Sequence, residues 1–273
     1  MLGAICGDII GSRFEWDNLK QTDFELFADT CHFTDDSVQT VALAEALLSG
    51  RHYSELLREY YHRFPDAGYG ARFTAWAIQE NAPPYHSFGN GSAMRTSPSA
   101  WYYPKLQTVL QAAEKSAAVT HNHPEGIRGA RCIAGTIFLA RSGATKQALR
   151  NWVADECGYD LGRSCAEIRP GHTFDVTCQG TIGPAVTAFL ESHDFEESVR
   201  LAVSLGGDSD TLACITASIS EAYYGGVPEI IAQRAWGFLE PSLQSSVRHF
   251  FSATGRSLPI ADLHSKLQKN DPR

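Results

Sequence analysis

The chain has 273 residues, 43% apolar and 20% charged, a balance that excludes a disordered segment and gives one large or two small domains a substantial core. Its 23 basic and 31 acidic side chains leave a formal charge of −8 without a Lys/Arg cluster, which disfavours a nucleic-acid surface. No apolar run approaches the roughly 18 residues of a membrane span. Seven scattered cysteines without a Cys-x-x-Cys pair read as reduced, buried small hydrophobes of a cytoplasmic protein.

The first segment places Gly3, Gly7 and Gly11 four apart, a bare stripe on a helix that a neighbouring helix can approach closely. It carries Asp8 and Arg13 and no basic start, so it is not read as a signal peptide. Asp8 is expected to hydrogen-bond within this packing or to stand behind a metal ligand. Just past the helix, Glu15 lies between Phe14 and Trp16. It is either an ordinary loop carboxylate or, desolvated by its aromatic neighbours, an acid/base group of raised pKa.

Next, Phe33-Thr34-Asp35-Asp36-Ser37 opens an amphipathic segment, Val38 to Leu48, that stops at Ser49-Gly50. Asp, Ser and Thr are preferred N-caps, so a cluster of them can simply begin a helix. One cap meets that need, and each further carboxylate adds repulsion that a cation or solvent must offset. Tyr53 to Phe64 and Tyr69 to Asn81 have helical spacing around a turn at 65–68, before Asn81-Ala82-Pro83-Pro84 breaks the chain. In Gly89-Asn90-Gly91-Ser92-Ala93-Met94-Arg95, two glycines flank an asparagine ahead of another helix. This is a plain turn or a backbone that comes close to a ligand.

Leu106 to Val119 reads as helix and ends at Thr120-His121-Asn122-His123-Pro124-Glu125-Gly126. The two histidines lack further ligands at zinc-like spacing, and the turn before the helix Ile127 to Arg141 is better suited to holding a pyrophosphate on free amides. Thr145 to Cys157 is a predicted helix, while Gly158 to Gly180 is irregular with an extended piece at His172 to Cys178. Thr181 to Ser192 and Phe195 to Ser204 are helical and lead to Gly206-Gly207-Asp208-Ser209-Asp210-Thr211, which opens Leu212 to Tyr224. Pro228 to Trp236 and Leu239 to Phe251 close the fold. No repeat or linker divides the chain, so one all-α domain over 1–264 is expected, with a frayed tail at 265–273.

Thr-Asp-Asp and Asp-Ser-Asp-Thr thus each open a helix. If the two starts face each other, four carboxylates converge, enough to neutralise two divalent cations, and hard oxygen ligands favour magnesium, manganese or calcium over zinc.

Taken together, GAICGDIIGSRFEW, FTDDS, GNGSAMR, THNHPEG and SLGGDSDT occur in the order seen in the ADP-ribosylglycohydrolases, and the chain resembles that family from about Met1 to Phe251. The resemblance implies a compact orthogonal multi-helix fold. It also implies a hydrolase that cleaves the glycosidic bond between ADP-ribose and an acceptor, either a protein side chain such as arginine or serine or a small ADP-ribosyl derivative. Two Mg2+ or Mn2+ ions would be held by Thr34, Asp35, Asp36, Asp208, Asp210 and Thr211. Glu15 and Asp36 would divide acid and base roles, and Asn90, Gly91, Met94, His121, His123, Gly126 and Ile182 would lie at the substrate. A two-metal phosphohydrolase is the alternative from the same chemistry, disfavoured by the lack of a basic clamp. A binding-only relative is the other, disfavoured because all six ligand positions and Glu15 are retained.

Overall fold

In the computed structural model, which describes residues 1–260, the chain forms helices joined by loops, with no strand among the described residues. Helix α1 (Leu2–Gly11) runs into a tight turn at Ser12–Phe14, and a loop leads to α2 (Asp35–Ser49). Thr34 caps α2 by accepting from the Asp36 amide, and Gly50 ends it in the left-handed conformation. There follow α3 (Tyr53–Arg63), α4 (Ala71–Ala77), α5 (Gly91–Met94) and α6 (Ser97–Tyr102), then the packed pair α7 (Leu106–Ala118) and α8 (Pro124–Arg141). Short α9 (Lys146–Asn151) and α10 (Cys165–Ile168) precede α11 (Cys178–Glu191), α12 (Phe195–Ser204) and α13 (Ser209–Tyr223). Finally come α14 (Glu229–Trp236) and α15 (Pro241–Ala253).

The centre of the molecule is the antiparallel pair α1 and α13. Every residue of α1 is buried, and α13 also packs against α8, α11 and α12. The glycine stripe makes this contact. A Cβ on Gly3 or Gly7 would collide with the carbonyls of Ala217 and Ala213, and one on Gly11 would sit 2.5 Å from the Ser209 oxygen. Backbone therefore meets backbone, and the start of α13 lies under the end of α1. All seven cysteines are unpaired and buried, as expected.

Several boundaries differ from the sequence reading. The expected helix at Thr145–Cys157 divides into α9 and a π-helical turn at Trp152–Glu156. The Trp152 indole fills the space beside Gly135 and donates to the Cys132 carbonyl at 3.1 Å, so this tertiary contact sets the local winding. Residues 158–180 contain α10, started by a Ser164/Glu167 capping box. The expected extended piece reduces to one isolated bridge, Thr177 with Gly89. The tail expected to fray, 265–273, lies outside the described residues.

Candidate active site

Asp8 ties α1 to the start of α2. Its carboxylate accepts from the Thr34 amide at 3.0 Å, the Thr34 hydroxyl at 2.7 Å, the Ser37 amide at 3.1 Å and the Ser37 hydroxyl. With α1 packed on α13, both acidic helix starts are brought to one place. One carboxylate oxygen each from Asp8, Asp36 and Asp210 lie within 4.8 Å of one another, and Glu15, Asp208 and Asp210 form a second such group. Asp210 belongs to both. The Thr211 hydroxyl donates to Asp36 across the two starts at 3.2 Å.

Capping does not account for this arrangement. Asp208 occupies the cap position of α13 yet makes no cap bond, and its carboxylate accepts from the Asn90 side chain at 2.6 Å. Asp36 is 1% exposed, and its Oδ1 is buried without a hydrogen-bond partner. An orphaned carboxylate oxygen inside an all-oxygen acidic cluster is what a hard cation would satisfy, so the donor set fits divalent metal ions.

The electrostatics agree. Burial, then repulsion from Asp210 and Asp8, pushes Asp35 and Asp36 well above the usual carboxylate range. Burial and Asp208 do the same to Asp210, and burial raises Asp208 to about 6 against the hydrogen bonds it receives. Glu15 rises to about 8, chiefly by burial and next by Asp210 and Asp8. The two helix N-termini favour negative charge here, but they do not cancel this many carboxylates.

Asn18 fixes Glu15 over the cluster. Its side-chain amide donates to the Phe14, Glu15 and Gly207 carbonyls and accepts from the Gly207 amide at 2.7 Å, clamping the loop onto the turn before α13. Gly206 and Gly207 have φ of +71° and +78°, a left-handed pair that only glycine adopts readily.

A cavity of about 490 Å3 opens above the carboxylates. Of the residues expected in the site, Glu15, Asp35, Asp36, Asp208, Asp210, Thr211, Asn90, Gly91, Met94 and His121 line it. Thr34 stands behind, with its hydroxyl bonded to Asp8. His123, Gly126 and Ile182 are elsewhere. His123 caps α8 by accepting from the Glu125 amide, Gly126 abuts the backbone of Ser87 and His121, and Ile182 is wholly buried in α11. Physically, each is engaged in packing or capping rather than facing the cavity.

Gln39, Arg72, Tyr85, Phe174 and Val176, which no motif in the sequence marks, also line the cavity. Trp16, 79% exposed, stacks on Phe174 at 4.9 Å at its mouth. Nothing in the spacing of residues 16 and 174 announces that contact. Asp8 was visible as a polar residue in an apolar helix.

A model of the ADP-ribosylglycohydrolase family matches residues 1–247. ADP-ribosylhydrolase ARH3 of Mus musculus is 25% identical, over 91% of this chain and 90% of its own. ADP-ribosylarginine hydrolase Tri1 of Pseudomonas putida (strain GB-1) is 26% identical, over 86% of this chain and 73% of its own. Among solved structures, an "ADP-ribosylglycohydrolase-related protein complex" superposes with a TM-score of 0.68 at 26% identity, covering 93% of this chain and 95% of that one. With its helical fold and the two acidic helix starts meeting beneath one cavity, the chain belongs to the ADP-ribosylglycohydrolase family.

Proposed function

We propose that the protein hydrolyses the glycosidic bond between ADP-ribose and an acceptor, a protein side chain or a small ADP-ribosyl derivative, with two divalent cations, Mg2+ or Mn2+. The observation that carries this reading is the pair of acidic groups sharing Asp210 at the floor of the cavity. Asp35, Asp36, Asp208, Asp210 and Thr211 would hold the ions, with Thr34 and Asp8 behind them. Bound there, two such ions supply charge stabilisation and orientation of ribose hydroxyls and water.

Glu15 is the proton carrier. It reaches the acidic cluster from the cavity mouth, and burial, the largest cause of its raised pKa, persists when cations neutralise its acidic neighbours. A carboxyl that keeps its proton near neutral pH can deliver it to the departing acceptor atom and recover one from water. Asp36 is enclosed, with one oxygen bonded to Thr211 and the other buried without a partner, which suits a ligand better than a base. The acceptor side of the bond then points towards Glu15, Trp16 and Phe174.

A phosphohydrolase needs a cationic clamp on its phosphate. Among the described residues lining the cavity, Arg72 is the one fixed cation, and it donates to the Tyr85 carbonyl. Incubation with ADP-ribosylated arginine, serine and phosphate compounds plus Mg2+, followed by assay of free ADP-ribose and of phosphate, tests the proposal. Phosphate without ADP-ribose would sink it.

A further inference from the structure

Arg95 follows α5 and is completely enclosed, at 0% exposure. Among the described residues no carboxylate pairs with it, although an isolated buried cation is costly. Its guanidinium instead donates to three neutral acceptors: Gln39 Oε1 at 2.7 Å, the Ser116 carbonyl at 2.8 Å and the Thr120 hydroxyl at 2.8 Å. Two of these lead to the cavity.

The first path runs through Gln39. Arginine only donates, so Gln39 must turn its carbonyl to Arg95, and its amide nitrogen is left to donate to Asp35 Oδ2 at 2.6 Å. The otherwise free choice between the two amide orientations is removed.

The second path runs through Thr120, whose hydroxyl has one hydrogen and two lone pairs. Arg95 takes one lone pair. His121 Nδ1 lies 2.7 Å from the hydroxyl and accepts when the hydrogen points to it. Burial and the charges of Arg95 and Arg72 keep the imidazole neutral, so with Nδ1 accepting, its one N–H falls on Nε2. That nitrogen faces the glycine turn, only 3.2 Å from where a Cβ on Gly91 would stand.

We propose that Arg95 is a positioning residue for both halves of the cavity. Through Gln39 it holds Asp35 towards the acidic cluster, and through Thr120 it sets His121 as an Nε2–H donor to an anionic oxygen of the ligand beside Gly89–Gly91. The ligand roles rest on the reading of the cavity given above; the hydrogen-bond assignment does not.

Long-range 1H–15N spectra of the full chain at neutral pH should show His121 protonated at Nε2 in the wild type and a mixture of tautomers in Thr120→Val. A wild-type ring protonated at Nδ1 overturns the Thr120 path. By calorimetry, Gln39→Leu should weaken Mn2+ binding about tenfold or more. Thr120→Val should weaken ADP-ribose binding at saturating Mn2+ with Mn2+ affinity retained. Arg95→Met should lose both, and Arg95→Lys, which keeps the charge but not the planar fork, should lose at least one. Thermal melts check that each variant is folded. Wild-type affinities in folded Arg95→Met overturn the proposal, and if that variant does not fold, the Gln39 and Thr120 variants decide. A wild type that binds neither Mn2+ nor ADP-ribose refutes the reading of the cavity, while the tautomer spectrum still judges the Arg95 assignment.

Discussion

Glu15 and Asp210 occupy one acidic group but have different surroundings, so their neutral variants should behave differently. Glu15→Gln removes a proton carrier and should lower kcat by about 10²–10⁴-fold with Mn2+ affinity retained. Asp210→Asn removes a buried charge that repels its neighbours. The metal-free variant should melt at or above the wild-type temperature while activity and Mn2+ binding are lost. Unfolding of Asp210→Asn, with metal-free wild type folded, would make the residue a structural one. Two glycines offer a similar contrast. A Cβ on Gly91 meets side-chain atoms alone, the His121 ring edge at 3.2 Å and the Met94 methyl at 3.9 Å, and a valine there should fill the cavity and weaken ADP-ribose binding in a folded protein. A Cβ on Gly126 would lie 2.7 Å from the Ser87 carbonyl oxygen, so Gly126→Val should lower the melting temperature instead.

At the scale of elements, function depends on the register of α1 against α13. Gly7 lets the helices meet backbone to backbone, and Gly11 at the end of the same stripe puts the Glu15 loop over Asp210. Gly7→Ala gains helix propensity but forces the pair apart, and its net cost should be roughly 3 kcal/mol, the upper end for overpacking. Denaturant unfolding measures this, and a neutral result would mean that the pair is looser than described. Because Asp8 also holds the start of α2, separation of α1 from α13 should weaken Mn2+ binding although no ligand has changed.

Across the whole molecule, the raised carboxylates make metal-free stability depend on pH. A group whose folded pKa lies above its unfolded value takes up its proton in the folded state first, so stability rises as pH falls through the folded pKa. Glu15 at about 8, Asp208 at about 6, and Asp35, Asp36 and Asp210, all raised, act in this sense. His121 and the Met1 amino group, both lowered, oppose them with one proton each. The melting temperature without metal should therefore climb between about pH 8.5 and pH 6.5. Saturating Mg2+ should stabilise the protein most at the alkaline end, where ligands need no deprotonation. Glu221 sets the acid limit. Burial alone would raise it, but the Met1 amine and Arg256 bring it down to about 2, so its contribution is present above its unfolded value of 4.5 and lost as pH falls below that. A melting temperature independent of pH over the alkaline window would contradict the charge clustering.

Much of this was legible in the chain itself. Helical spacing located most elements, and Thr34-Asp35-Asp36 and Asp208-Ser209-Asp210-Thr211 were recognisable as chemically excessive caps, because local periodicity and capping depend on neighbours within a few residues. The Gly3, Gly7, Gly11 stripe announced a close helix contact but not its partner. That Asp36 and Asp210 share a cluster, that Trp16 meets Phe174, that Trp152 forces a π-helical turn, and that Gly126 and Ile182 face packing rather than the cavity are long-range facts. So is the chain of bonds from Arg95 to Asp35 and His121. Each depends on the register in which separate helices pack, and no spacing along one segment encodes that register. The sequence by itself determined which residues were capable of the chemistry; tertiary packing decided which of them meet.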